Sequence, residues 1–209
     1  MRIDIEELQL YTKMPHRNFE DFIANAHQDN IDYYIRTGDE DGWFRRSSPF
    51  YIFDIAYSHN TGLYEVWYDY IKRRTDRGSS IYDLGAGIGT AEVILLKRCP
   101  SALVVDEDNL ACLDFIYWRL DRRGGEISAP LKHYDYVVSI DTIQRLQPEF
   151  IKPVLKRLLS IADRCFIYIN EDTRHPMFNA VPFNLENFIA NNSLRYDKFH
   201  NLWDVVINE

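Results

Sequence analysis

The sequence predicts an α/β fold with a mostly parallel sheet, preceded by a helical region. Three observations predict it. From Ser80 onward, short strand-like runs alternate with stretches of helical periodicity, which is typical of a parallel sheet with helices on both faces. Before Ser80 the apolar residues recur at helical spacing only. At the end of the chain two strand-like runs meet at His200 and Asn201, which predicts a C-terminal antiparallel hairpin.

The first region is predicted as an N-terminal helical cap over residues 1–78, followed by a sheet domain over residues 79–209. RNFEDFIANA and TGLYEVWYDYIKRR each place apolar residues on one helix face. Between them, residues 33–60 contain Gly38, Gly42 and Pro49 among dense aromatics, and this predicts a loop or lid. The aromatics fit either a lid over a ligand or a packed core; they are Tyr33, Tyr34, Trp43, Phe44, Phe50, Tyr51 and Phe53.

In the sheet domain the patterns predict four helices and six strands. The strands are predicted at 80–84, 101–107, 134–141, 164–171, 194–200 and 202–209. The helices are predicted at 90–98, 110–123, 153–163 and 184–192, with Pro153 in the first turn of its helix, where proline is tolerated. The run EISAPLK after Gly125 is short for a further strand, so that strand is predicted to be vestigial.

Composition limits the function. The formal net charge of −8 argues against a nucleic-acid partner, and the basic runs KRRTDR and RLDRR are interpreted as cations at helix C-termini. Cys99, Cys112 and Cys165 have no zinc or disulfide spacing, so no metal site is predicted and the thiols are expected to be reduced and mainly buried. No segment reads as a signal peptide or a membrane span, so a cytoplasmic location is expected. The oligomeric state stays open.

IYDLGAGIGTAE, residues 81–92, is the most informative stretch. A strand leads into a glycine turn and then into a helix, an arrangement that presents backbone N–H groups to a ligand. The dinucleotide fingerprint is GxGxxG, but here the spacing is GxGxG and Thr90 stands at the third glycine position. Asp83 would repel a pyrophosphate but suits an ammonium or a sugar hydroxyl. NAD is therefore disfavoured as a ligand. The alternative that this stretch is only a tight turn in an unrelated α/β protein is not excluded.

DLGAGIG resembles the first motif of class I S-adenosylmethionine-dependent methyltransferases, acidic-x-G-x-G-x-G. LVVDED at 103–108 matches the acidic strand end that follows, and YDYVVSIDTIQRL at 134–146 is similar to the family's fourth-strand segment, often FDVVxxxDVLEHL. The resemblance covers residues 79–170 and implies a three-layer Rossmann-like methyltransferase fold that binds S-adenosyl-L-methionine (SAM).

The resemblance also implies a set of cofactor-binding residues. Around the methionine part and the ribose of SAM these would be Asp83, Gly85, Ala86, Gly87, Gly89, Asp106 or its neighbour Glu107, and Asp141 near the mouth of the site. Two alternatives stay open: Asp106 as a solvated strand-end carboxylate, and Asp141 as a helix N-cap.

Some family features are missing. The family's EHL is Gln144, Arg145 and Leu146 here, so no histidine is carried over. The acidic residue that often contacts adenine has no counterpart, and Ser128 is the nearest residue. The NPPY-type signature of amino-methylating DNA enzymes is absent.

Methyl transfer needs a base only if the acceptor arrives protonated. The segment INEDTRHPMFN lies at the carboxyl end of the strand predicted at 164–171, where ligands bind in such sheets. His175, with Glu171 and Arg174 nearby, is the predicted base or substrate contact together with Asp141; a solvated loop histidine is the alternative, and His59 is a second candidate.

The expected function is SAM-dependent methyl transfer to the O or N of a small molecule. Two alternatives remain: a catalytically silent module acting as a partner or regulatory subunit, and another SAM-type transfer such as aminopropyl transfer.

Overall fold

The computed structural model describes residues 2–14, 19–39, 49–59, 62–99, 103–107, 109–169 and 183–208. In these ranges the helices are α1 (Arg2–Thr12), α2 (Phe19–Thr37), α3 (Pro49–His59), α4 (Leu63–Arg74), α5 (Thr90–Leu95), α6 (Leu110–Asp121), α7 (Pro148–Ser160) and α8 (Leu185–Asn191). The strands are β1 (Ile81–Leu84), β2 (Leu103–Asp106), β3 (Tyr134–Ile140), β4 (Ala162–Tyr168), β5 (Arg195–Phe199) and β6 (Leu202–Val206).

The six strands form one sheet in the order β2-β1-β3-β4-β6-β5. β2, β1, β3 and β4 are parallel neighbours, whereas β6 and β5 run antiparallel. The chain reverses between β5 and β6 at His200 and Asn201, both with positive φ. The predicted mostly parallel sheet with a C-terminal hairpin is confirmed.

Side chains alternate between two faces of the sheet, and each face has its own core. Ile81 and Val138 face α4, α5 and α6. Tyr82 and Val137 face α7 and α8. The result is the predicted three-layer arrangement, with buried strands that read as continuous apolar runs because both faces are covered.

A third apolar cluster joins α1, α2 and α3 to the outer side of α6 and to Ile88 in the glycine turn. The N-terminal helices therefore lie over the region where β1 turns into α5. α4 packs on the sheet itself. The boundary at residues 78 and 79 stays a prediction.

The prediction of a loop at residues 33–60 is wrong for two parts of that segment. α2 continues to Thr37, and Pro49 opens α3 instead of breaking structure. α3 was missed because PFYIFDIAYSH is apolar around most of its circumference and shows no clear stripe. Tyr34, Tyr51 and Phe53 are buried in the third cluster, which supports the core interpretation over the lid. Trp43 and Phe44 lie outside the described residues, and the side chain of Phe50 is not described.

Two further predictions need correction. α7 begins at Pro148, so Pro153 lies inside the helix and not in its first turn, and β4 already begins at Ala162. The predicted cations at helix C-termini are confirmed, since Arg119 lies in the last turn of α6 and Lys72, Arg73 and Arg74 lie in the last turn of α4. The side chain of Arg119 is in addition fully buried.

The predicted vestigial strand is confirmed within residues 109–169, where no strand precedes β3. β2 is therefore an edge of the sheet. The N–H of Ser128 donates to the carbonyl of Leu103 at 2.8 Å, beside this edge. All three cysteines are buried free thiols, as expected. Among the described helices, none has the length and apolar character needed to cross a membrane.

Candidate active site

The glycine turn lies at the carboxyl edge of the sheet, between β1 and α5. Gly85, Gly87 and Gly89 all have positive φ, at 71°, 58° and 73°. Residues with side chains rarely adopt this conformation, so the spacing of the glycines follows from the shape of the turn. The N–H of Gly85 donates to the carbonyl of Asp106 at 2.7 Å, which ties the turn to the end of β2.

Glu107 forms the far wall of the turn. Its Oε2 accepts a hydrogen bond from the Gly87 N–H at 2.8 Å, and its Oε1 accepts one from the Asn109 N–H at 2.9 Å. Asn109 in turn caps α6. Asp106 is exposed and accepts a hydrogen bond from the hydroxyl of Tyr82, whose side chain lies on the face of the sheet that α7 and α8 cover. Of the two predicted carboxylates, Glu107 is thus the one in contact with the glycine turn.

Asp83 lies beneath the turn and is almost completely buried, as is Ala86. Burial and the adjacent Glu92 carboxyl raise the pKa of Asp83 well above its usual range. Glu92 is in the first turn of α5 and is also buried. The sequence interpretation missed Glu92, because a glutamate in a first helical turn looks like an ordinary partner of the helix dipole.

Asp141 follows β3 and borders the turn from the other side. It has a positive φ of 59°, an uncommon conformation outside glycine. Its two carboxylate oxygens accept hydrogen bonds from the Tyr64 hydroxyl and from the Gln144 amide. Burial and the Asp141 charge raise the pKa of Tyr64, so the phenol stays a donor. The N-cap of the following 3-10 turn is Thr142, so the N-cap alternative for Asp141 is wrong.

The glycine turn and Asp141 are adjacent. A Cβ placed on Gly85 would lie 2.1 Å from the hydroxyl of Thr142, the residue next to Asp141. The structure therefore brings together Asp83, Ala86, the three glycines, Asp106, Glu107 and Asp141 at one edge of the sheet. Tyr64 is a second residue that the sequence interpretation missed, because 77 positions separate it from Asp141 and no local pattern connects them.

His59 is buried near this edge. Its Nδ1 lies 3.0 Å from the Thr90 hydroxyl and 3.6 Å from Asp4 Oδ2, and its ring lies 4.2 Å from that of Tyr64. These contacts give His59 a packing role between α3, α4 and α5. His175, Glu171 and Arg174 lie outside the described residues, so the predicted role of His175 stays a prediction.

A buried ionic network joins α1 to the glycine turn. The Arg119 guanidinium donates to Asp4, to Glu7 and to the carbonyl of Ile88, at 2.7 to 2.8 Å. Burial raises the pKa of Asp4, but the neighbouring His59 and Arg119 outweigh it and lower the value to about 2. The first helix of the chain is thus fixed to the backbone of the predicted binding turn.

Two surface depressions lie elsewhere. One, of about 420 Å³, follows β5, and one, of about 260 Å³, lies at the amino ends of the strands near Asp76 and Asp135. Ligands of open parallel sheets bind beyond the carboxyl ends of the strands. Neither depression is therefore the candidate active site. Among the described residues no cluster of His, Cys, Asp and Glu has the arrangement of a metal site.

Neither a family model nor a curated protein sequence matches this chain. Solved structures do match. An O-methyltransferase family protein from Burkholderia thailandensis aligns with a TM-score of 0.63 at 13% identity, over 90% of this chain and 71% of that one. A magnesium protoporphyrin IX methyltransferase from Synechocystis, solved with bound SAM, aligns with a TM-score of 0.55 at 15% identity, over 87% and 94%.

A putative RNA methyltransferase from Pyrococcus horikoshii aligns with a TM-score of 0.50 at 15% identity, over 69% of this chain and 83% of that one. Identities of this size establish the fold and leave the chemistry to the site. The chain has the Rossmann-like fold of class I SAM-dependent methyltransferases.

Proposed function

We propose that this protein binds SAM at the glycine turn and transfers its methyl group to the O or N of a small molecule. The observation that carries the proposal is the turn itself: three positive-φ glycines at the carboxyl edge of the sheet, enclosed by Asp83, Glu107 and Asp141. Carboxylates suit the ammonium and the ribose hydroxyls of SAM. The Synechocystis enzyme, which shares the fold, was solved with SAM bound.

Different residues would have different roles in this reaction. The glycines allow the backbone to approach the ligand closely, and Glu107 offers two carboxylate oxygens at the point where β2 ends. The SAM sulfonium supplies an activated methyl group. The protein then has to hold the acceptor in line with the S–CH₃ bond and to keep water out.

Asp141 and Tyr64 would form the acceptor side of the site. Both belong to the mouth, and their hydrogen bond joins the sheet to α4. Asp141 keeps its role as a predicted catalytic or binding residue, and His175 keeps its role as the predicted base. Tyr64 orients Asp141 and is a positioning residue.

A small acceptor agrees with the charge of the molecule. The net charge of −8 disfavours a polyanion, and the edge that would receive the acceptor already carries Asp106, Glu107 and Asp141. The Burkholderia and Synechocystis proteins are named as an O-methyltransferase family protein and a porphyrin methyltransferase. An RNA acceptor, as in the name of the Pyrococcus protein, is the weaker choice.

One observation favours a second candidate, a module with the SAM fold that no longer turns over. Within residues 109–169 no strand lies beyond β2, where the N–H of Ser128 donates to the carbonyl of Leu103. The wall on which adenine would rest is thus reduced. Such a module would act as a partner or regulatory subunit. No feature of the described residues specifically favours the remaining alternative, aminopropyl transfer on the same scaffold.

Calorimetric titration with SAM, with S-adenosylhomocysteine (SAH) and with NAD as the control tests the proposal. We expect micromolar binding of SAM and SAH and no heat with NAD. Binding of neither SAM nor SAH to folded protein would reject the enzyme and favour the non-catalytic module. Radiolabelled methyl transfer from SAM to a panel of small phenols, amines and carboxylic acids, with RNA as a further acceptor, then separates the acceptor classes.

A further inference from the structure

Two carboxyl groups meet under the glycine turn. Asp83 is 4% exposed and Glu92 is 1% exposed, and each carboxyl group is close enough to shift the pKa of the other. Glu92 Oε2 is buried and has no hydrogen-bond partner among the described residues. A buried, unpartnered carboxylate oxygen is costly unless a proton or a cation compensates it.

The surroundings supply little positive charge. From β2 and the residue after it, Asp106 and Glu107 add negative charge near Asp83, and Asp4 from α1 adds negative charge near the neighbouring Tyr68. α4 contributes Tyr68, whose pKa is raised well above its usual value by burial and by the nearby Asp83 and Glu92. Arg119 of α6 is the cation that acts on Glu92, but its hydrogen bonds go to Asp4, Glu7 and Ile88.

Two desolvated carboxyls in contact cannot both ionise at low cost, so one of them retains a proton. Burial and the partner carboxyl both favour the protonated form of Asp83. A hydrogen bond between an acid and a carboxylate then satisfies one oxygen of each group. Glu92 Oε2 remains available to accept a hydrogen bond from a further donor.

We propose that Asp83 and Glu92 share one proton in the ligand-free protein and that the ammonium of the bound ligand replaces this proton, which leaves to solvent. Glu92 is then a specificity residue that accepts only a cationic amino-acid group at this end of the site. The inference rests on the proposed function, since it takes SAM and SAH as the ligands. It adds to that function a role for a second carboxyl group, that of Glu92, and the release of one proton on binding.

Binding coupled to proton release has a defined signature. The affinity for SAH rises with pH, by up to about tenfold per pH unit while the pair is protonated. Calorimetry at pH 7.5 in phosphate and in Tris measures the released proton directly, because the two buffers differ in ionisation enthalpy. We expect a release of about one proton per SAH bound.

Glu92→Gln is the test variant and Glu149→Gln is its matched control. Glu149 is an exposed glutamate in the first turn of α7, so its substitution makes the same chemical change outside the site. We expect Glu92→Gln to lose most of the proton release and Glu149→Gln to retain it. 5′-Methylthioadenosine, which has the nucleoside and thioether without the ammonium, should bind without releasing a proton. SAH binding without proton release in the wild type would overturn the inference.

A measurement without ligand separates this inference from the proposed function. Titration of ¹³C-labelled Asp and Glu carboxyl carbons by NMR should show one group that keeps its proton at neutral pH, and in Glu92→Gln that group should titrate at lower pH. If this group is present and SAH gives no heat, the shared proton stands and both its ligand and the proposed function fail. If every carboxyl titrates below about pH 5, the shared proton is rejected whatever binds.

Discussion

The three glycines of the turn are not equivalent. A Cβ on Gly85 would lie 2.1 Å from Thr142 Oγ1, and one on Gly89 would lie 2.8 Å from Ile116 Cγ1. A Cβ on Gly87 would meet Ile55 Cδ1 at 3.5 Å, an ordinary contact. Gly85 and Gly89 are therefore required by the packing of the fold itself. Gly87 is the position where a substitution reports on the ligand.

We predict that Gly87→Ala lowers the affinity for SAM at least tenfold while the protein stays folded. The methyl group fills space in the turn, and the positive φ costs about 1 kcal/mol. Gly124→Ala is the matched control, since Gly124 has a φ of 66° with nothing near its missing Cβ and lies after α6, away from the turn. Calorimetry with SAM compares the two variants. Equal SAM affinities of the two variants would mean that the turn is not part of the binding site.

A second residue-scale prediction concerns Tyr64. Tyr64→Phe removes a hydrogen bond to a carboxylate in a partly buried site, so we expect the free energy of unfolding to fall by about 1.5–3 kcal/mol. Tyr196→Phe removes a similar hydrogen bond, from Tyr196 to Glu186, on the surface, and it should change stability by less than about 0.5 kcal/mol. Urea denaturation measures both. A loss no larger for Tyr64→Phe than for Tyr196→Phe would contradict a supporting role for this contact.

At the scale of elements, α1 is connected to the rest of the molecule by charge as well as by apolar packing. Asp4 and Glu7 lie about one turn apart on α1 and both accept hydrogen bonds from Arg119. The same guanidinium holds the carbonyl of Ile88 in the glycine turn. Three elements that are distant in sequence thus share one buried cation.

We expect Arg119→Met to destabilise the protein by about 3–5 kcal/mol, because Asp4 and Glu7 would stay buried after losing the guanidinium that donates to both of them. Arg73→Met is the control. Arg73 forms an exposed ion pair with Asp69 at 3.3 Å, and such pairs contribute about 0–1 kcal/mol. If Arg119→Met unfolds at the same urea concentration as Arg73→Met, the network does not hold α1 in place.

The strands and most of the sheet-domain helices could be predicted, since their periodicities of 2 and 3.6 residues are local properties of the sequence. α3 could not, because a helix buried on several sides has no single apolar stripe. The start of α7 was placed too late because Pro153 looked like a first-turn residue. Its true first turn contains Pro148.

The candidate site was predictable to the extent that it follows a local motif. Asp83, the glycines and Glu107 belong to short stretches with a recognisable spacing. Tyr64 and Arg119 act through partners that are 77 and up to 115 positions away, and no spacing in a single sequence identifies such pairs. Glu92 and Arg119 were missed because their burial is decided by the tertiary structure and not by the local sequence.

At the scale of the whole molecule, two sets of buried carboxyls respond to pH in opposite directions. The pKa of Asp4 is lowered to about 2, so its contribution to stability is present above its unfolded pKa near 4 and is lost as the pH falls through about 2. The pKa values of Asp83 and Glu92 are raised, first by burial. Their contribution is present at low pH and is lost as the pH rises through their folded pKa values.

We therefore predict that the double variant Asp83→Asn, Glu92→Gln gains stability relative to wild type as the pH rises from 5. In this range the folded wild type holds a proton that the unfolded chain has released, so its free energy of unfolding falls by up to about 1.4 kcal/mol per pH unit. The variant has no such group, so its free energy of unfolding should not fall with pH for this reason. Urea denaturation of both proteins at pH 5, 7 and 9 gives the difference, which should grow with pH and level off once the pair has ionised. Parallel curves would mean that the pair carries no extra proton in the folded state.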